Sequence, residues 1–266
     1  MELFDLVPAR LPVLIDVPHA GTHVPAELAE RLTEPARALP DTDWHVDKLY
    51  RFAAELGCGL FVATHSRYVV DLNRDPAGTI LYPGASNTEL CPLRTFADQP
   101  IYRPGAEPTP AELDARVERY FAPYHRRLQA ELDALRQRFG FVVLLDGHSI
   151  RAEVPRFFDG RLPDLNLGTA DGRSADATLA QAAWQALGRH PHFSRVQNGR
   201  FKGGYVTRHY GQPHRGIHAL QLEMAQCCYM NELAPQPFVP EPAEKLGLVL
   251  RELVTALLGW RPLGAC

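Results

Sequence analysis

"LLDGHSI", residues 144–150, sets an aspartate, a glycine and a histidine directly behind a short apolar run. A buried strand usually hands over to a turn of glycine, asparagine or serine. Here the exit carries Asp146 and His148, side chains that ligate metals or move protons. The pattern recurs along the chain. "VLIDVPHAG" (13–21) ends on His19, "YVVDLNR" (68–74) on Asn73 and Arg74, and "ALQLEM" (219–224) on Glu223. In open α/β sheets ligands bind beyond the carboxyl ends of the strands. Four strand exits delivering imidazole, amide and guanidinium, imidazole and carboxylate therefore read as one candidate site.

The segments between these exits set the fold class. "FVVLL" (141–145), "LFVAT" (60–64) and "YVVDL" (68–72) are short, β-rich and apolar. Residues 44–56 carry Val46, Leu49, Phe52, Ala53 and Leu56 at helical spacing, with Gly57 as the stop. A longer helix begins at "TPAEL", where Thr109 is the N-cap, Pro110 takes the first helical position and Glu112 closes a capping box. Its apolar face runs from Leu113 to Phe139, and Pro123 should kink or divide it. Residues 174–187 and 241–258 add two more helices. Short buried strands alternating with amphipathic helices predict an α/β fold with a mixed, mostly parallel central sheet flanked by helices. The length of 266 residues suits a single catalytic domain, 1–266. The stretches 76–108 and 151–173 are expected to be long loops that cover the site.

Composition narrows the function. The formal net charge is -3 with no Lys/Arg stripe, which argues against nucleic acid as a partner. No apolar stretch approaches the ~20 residues needed to span a bilayer. The first residues carry acidic side chains and lack a basic segment followed by a long apolar one, so the expected location is cytoplasmic. Five cysteines (Cys58, Cys91, Cys227, Cys228, Cys266) form no C-x-x-C pair, which argues against a disulfide framework and a Cys-rich zinc ribbon. Any metal ligands are then histidine and carboxylate.

Each candidate has a plainer explanation beside the functional one. His19 could occupy a turn, and Asp43 could be a helix N-cap. Asp146 could orient a histidine instead of binding metal. His23 lies four residues after His19, but Pro18, Gly21 and Pro25 exclude a helix that would pair them, so it ranks second. Glu223 resists a structural explanation, because a buried carboxylate without a partner is costly.

The stretches "PHAG", "DTDWHVDKLY", "SRYVVDLNRDP", "LYPG", "DGHSIR", "GRLPDLNLGTADG", "NGRFKGGYVTRHYG" and "HALQLEM" together resemble the N-formylglutamate amidohydrolases, enzymes of histidine breakdown. The resemblance runs from roughly residue 10 to 235. It departs at "GRSADA" (172–177), where a cysteine is expected near Ala175. More distantly the arrangement is similar to the zinc carboxypeptidases and related acylases, which implies a zinc-carboxypeptidase-like (phosphorylase/hydrolase-like) fold. Carried over by motif, His19 and His148 correspond to two histidine ligands of one divalent metal ion, zinc. Asn73 and Arg74 correspond to a carboxylate clamp, and Glu223 to the base. The carboxypeptidase His-x-x-Glu pattern fails, since Thr22 stands in that place. Asp43 is the chosen third ligand, with His23 and Asp41 behind it.

This resemblance implies hydrolysis of N-formyl-L-glutamate, a small-molecule substrate, to formate and glutamate. Arg67 is expected to help stabilise the oxyanion. A substrate with two carboxylates calls for a second cation, and Arg151, Lys202 and Arg208 are the candidates. Other readings are a related acylase of a different N-acyl amino acid, a non-catalytic binder of small carboxylates, and a serine hydrolase using Ser149. The last lacks a G-x-S-x-G context.

Overall fold

Three of the four polar exits lie side by side because their strands are neighbours running the same way. The computed structural model describes residues 1–235 and 237–262, so Cys266 lies outside the described residues. Its seven strands are β1 (Phe4–Val7), β2 (Val13–Val17), β3 (Gly59–Ala63), β4 (Val142–Ile150), β5 (Leu165–Gly168), β6 (Arg195–Gln197) and β7 (Ile217–Ala225). They form one sheet in the order β1-β3-β2-β4-β7-β5-β6. The pairs β3/β2, β2/β4, β4/β7 and β5/β6 are parallel, while β1/β3 and β7/β5 are antiparallel. The expected mixed, mostly parallel α/β sheet is observed.

Side-chain alternation divides the core into two layers. Val13, Ile15, Val143, Leu145, Leu220 and Leu222 pack with the helices Ala177–Leu187 and Pro240–Gly259. Leu14, Val142, Leu144 and Ala219 face the helix Ala122–Phe139 through Tyr124, Leu128 and Leu132. Following the second face along β4 and β7, the apolar residues give way to Asp146, His148, Gln221 and Glu223. Register sets Asp146 beside Gln221 and His148 beside Glu223. One face of one pair of strands is therefore core at its start and a polar cluster at its end.

Several local expectations change. "YVVDL" is not a strand. It turns across the ends of the sheet, with Val69 N–H donating to Ser66 O and Asp71 N–H to Leu90 O. β2 already has β3 on one side and β4 on the other, so no free edge remains there for it to join. The expected helix over 44–56 is two single turns, Val46–Leu49 and Phe52–Glu55, broken at Tyr50. The buried Tyr50 ring fills the space beside Gly147, where an added Cβ would lie 2.8 Å from its Cε2. Thr109 and Glu112 form the expected capping box. Pro123 is accommodated by a wider π-turn, Val117–Phe121, just before it, which separates Pro110–Arg116 from Ala122–Phe139. The stretch 151–173 contains β5 in addition to loop. No helix among the described residues is long and apolar enough to cross a membrane. Cys58, Cys91, Cys227 and Cys228 are free thiols.

Candidate active site

His19 follows β2, Asp43 precedes the turn at Val46–Leu49, and His148 sits near the end of β4. One ligand atom from each lies within 4.8 Å of the others, and all three residues are buried. Asp43 Oδ2 is 3.0 Å from His148 Nδ1 and 3.9 Å from His19 Nδ1. Asp43 does not cap a helix. The residue preceding the turn is His45, in a left-handed conformation, and Asp43 Oδ2 accepts the Ser149 N–H at 3.0 Å. Its other oxygen, Oδ1, is buried with no hydrogen-bond partner and lies 3.6 Å from Arg67 Nη1.

Behind each histidine stands a second carboxylate. His19 Nε2 lies 2.7 Å from Asp71 Oδ1, and His148 Nε2 lies 2.7 Å from Asp146 Oδ1. A ring whose Nε2–H donates to a carboxylate presents the lone pair of Nδ1, and both Nδ1 atoms face Asp43. Burial opposes ionisation of Asp71, but the neighbouring His19 ring and the Arg67 guanidinium override it and hold its carboxyl well below the usual range. Arg67 Nη2 donates to Asp71 Oδ2 at 2.7 Å, and its guanidinium lies 4.8 Å from the centre of the Phe96 ring. This donor set fits a divalent cation. Two imidazoles and a buried carboxylate converge, and one carboxylate oxygen, Asp43 Oδ1, has no hydrogen-bond partner among the described residues.

His23 and Asp41 stand apart from this group. His23 stacks edge-on to His65, 4.7 Å between ring centres. Asp41 accepts hydrogen bonds from Tyr68 Oη and the Phe96 N–H.

Glu223 is buried on β7, with Gln221 Nε2 donating to its Oε2 at 3.0 Å. Burial pushes its carboxyl up to about 7. Asn73 is committed to the protein. Its Oδ1 accepts the Val206 N–H, and its Nδ2 lies 3.2 Å from Asp146 Oδ2 and 2.8 Å from His148 Nε2. Gly204 makes that possible, since a Cβ there would lie 2.4 Å from Asn73 Nδ2. Arg74 donates from Nε to Thr88 and from Nη1 to Asn73 O.

His19, Asp43, Arg67, Asn73, Arg74, His148 and Glu223 all line one cleft, which encloses about 550 Å³ of empty space, its open mouth included. Leu81, Tyr82, Asn87 and Thr88 from the first expected loop, and Phe157 from the second, form its walls. Arg151, Lys202 and Arg208 are not among the lining residues. Lys202 Nζ lies 3.1 Å from Asp171, and Arg208 Nε donates to Gly203 O. Arg151 is half-buried. Arg200, Asp71 and Gln221 were missed. Asp71 carried the same signal as Glu223, a carboxylate inside an apolar run. Ser149 Oγ meets Tyr229 Oη and Gln226 Nε2, with no histidine nitrogen among its partners, so a serine nucleophile gains no support.

A family model described as N-formylglutamate amidohydrolase matches residues 11–230. The chain belongs to that family. The N-formylglutamate deformylase of Pseudomonas aeruginosa PAO1 is 47% identical over 259 residues, 97% of each chain. That of Pseudomonas putida is 46% identical over 251 residues, 94% of each chain. The crystal structure of N-formylglutamate amidohydrolase from Ralstonia eutropha JMP134 superposes with a TM-score of 0.80 at 29% identity, covering 96% of this chain and 98% of that one. The Agrobacterium tumefaciens gene product Atu2144 shares the fold, with a TM-score of 0.73 at 21% identity and coverage of 97% and 95%. Within this family frame, the buried His19–Asp43–His148 group is a site that could bind a metal ion.

Proposed function

We propose that the chain hydrolyses N-formyl-L-glutamate to formate and L-glutamate in histidine degradation, using a zinc ion held by His19, Asp43 and His148. The observation that carries this reading is the convergence in one cleft of that donor set, a buried glutamate and an arginine, Arg74, that makes no ion pair among the described residues. Bound at these ligands, a divalent cation would lower the pKa of a water from ~16 toward ~7 and would draw charge from the formyl oxygen.

The chain's own residues do the rest. Glu223 accepts the proton of the attacking water and returns it to the departing α-amine as the C–N bond breaks. In the metal-free protein burial raises this carboxyl to about 7, which makes it a stronger base than an exposed glutamate. Arg67 lines the cleft beside Asp43 and supplies positive charge to the developing oxyanion. Asp71 and Asp146 hold the imidazoles in orientation, and Asn73 braces the His148–Asp146 pair. Arg74 has hydrogen bonds only to neutral oxygens, and we assign it the substrate α-carboxylate. Loops 76–108 and 151–173 cover the site in a single catalytic domain. Four free thiols fit a reducing compartment, and we place the reaction in the cytoplasm.

The test is formate release from N-formylglutamate by purified protein, before and after exhaustive chelation, with metal analysis alongside. Chelation is expected to abolish turnover and Zn²⁺ to restore it. Full activity in metal-free protein refutes the metal, and no formate from the untreated protein refutes the substrate.

A further inference from the structure

Three guanidinium groups line the cleft, and they differ in what surrounds them. Arg67 is matched by Asp71 at 2.7 Å and Asp43 at 3.6 Å. Arg74 and Arg200 make no ion pair among the described residues. Arg200 Nε donates to Phe157 O at 2.8 Å and Nη2 to Ser86 O at 3.0 Å, both neutral carbonyls. Its third nitrogen, Nη1, is buried with no hydrogen-bond partner. The group stands 4.7 Å from the centre of the Tyr82 ring and 5.4 Å from that of Phe201, which fixes its plane. Burial pushes the Arg200 pKa down; Arg74 adds to that shift, while Tyr82 and Glu223 oppose it. A half-buried cation with an idle donor and another cation for a neighbour is costly unless a ligand brings the missing charge.

We infer that Arg200 binds the side-chain carboxylate of the substrate and makes the site selective for N-formyl dicarboxylic amino acids. This rests on the deformylase reading and adds to it the residue that chooses the side chain. Arg74 adjoins Asn73, whose amide reaches Asp146 and His148, so it lies toward the reacting end and takes the α-carboxylate. Arg200 is anchored to Phe157 and Ser86, in the two walls of the cleft, and takes the far end of the substrate. Two unpaired guanidiniums meet two carboxylates. Nη1, already desolvated and held by its ring neighbours, donates to the incoming oxygen without having to be stripped of water first.

The test compares kcat/KM for N-formylglutamate and N-formylglutamine, which match in size and shape but differ in the charge of the side-chain group and in one oxygen replaced by NH2. Wild type is expected to prefer the glutamate compound by at least ~30-fold, the low end for a desolvated charge pair. Arg200→Met keeps packing on Tyr82 but removes the charge. It should lose that factor on N-formylglutamate, change by less than about threefold on N-formylglutamine, and so erase the preference. Arg200→Lys should retain part of the preference, which keeps the test decisive if the Met variant fails to fold. Equal losses on both substrates in a folded variant, or an unchanged preference, overturn the assignment of Arg200 alone. Wild type that releases formate from neither compound overturns the deformylase reading itself.

Discussion

Replacing Glu223 by glutamine should pull stability and activity in opposite directions. Glu223 is 6% exposed, and its carboxyl is displaced from an ordinary 4.5 to about 7, chiefly by burial. In metal-free protein that displacement amounts to about 3 kcal/mol. Its sign follows from linkage. The unfolded chain loses the proton near 4.5 while the fold keeps it to about 7, so the stabilising contribution is complete below 4.5 and lost by about 7. Glutamine does not titrate, and its amide oxygen can still accept the hydrogen bond from Gln221. Denaturant unfolding of the chelated proteins should therefore show Glu223→Gln gaining on wild type between pH 5 and 8, toward ~3 kcal/mol. With zinc restored, the same variant should keep its metal content and lose at least ~10²-fold in kcat, with little change in KM. A stability difference that does not vary with pH, together with near-normal turnover, would falsify both the burial argument and the role of Glu223 as base.

Asp71→Asn leaves His19 without its carboxylate and Arg67 without its closest partner. Zinc affinity, read by competition with a chromogenic chelator, should fall 10–100-fold, and unchanged affinity would remove Asp71 from the site. Asp43→Ala should abolish stoichiometric zinc while His23→Ala leaves it intact; the reverse result by metal analysis would make His23 the ligand. Arg74→Ala should cost about 2–5 kcal/mol in kcat/KM on N-formylglutamate but far less on its α-amide, and equal losses would deny Arg74 the α-carboxylate.

The strands that position the site were legible as short apolar runs, because β2, β3, β4 and β7 are buried on both faces and most of their residues are apolar. β1, β5 and β6 escaped notice. They have four, four and three residues, too short for a period to show. "YVVDL" reads as a strand for the opposite reason. Tyr68, Val69, Val70 and Leu72 are buried because they roof the ends of the strands, and apolar composition reports burial without reporting pairing. That error matters for the site. A strand would have sent Asp71 and Asn73 to the same face by alternation. A turn instead brings Asp71 under His19 and Asn73 under His148.

The least legible property was charge balance, because it depends on which charges meet in space. His19, His148, Glu223 and Arg74 stood out as polar residues behind apolar ones, whereas the pairing of each arginine could not be seen. In the fold the carboxylates of Asp43, Asp71 and Asp146 crowd two imidazoles and one matched cation, Arg67. With both imidazoles neutral, as ligation requires, the carboxylates of Asp43, Asp71 and Asp146 outnumber the Arg67 guanidinium, which favours a divalent cation there. On the substrate side Arg74 and Arg200 make no ion pair among the described residues, and a dicarboxylate supplies a partner for each. Glu223, beside His148 in the strand register, lines the same cleft as both groups of charges. A monocarboxylate substrate would leave one half-buried guanidinium without its ion-pair partner, which is the physical reason to expect discrimination against it.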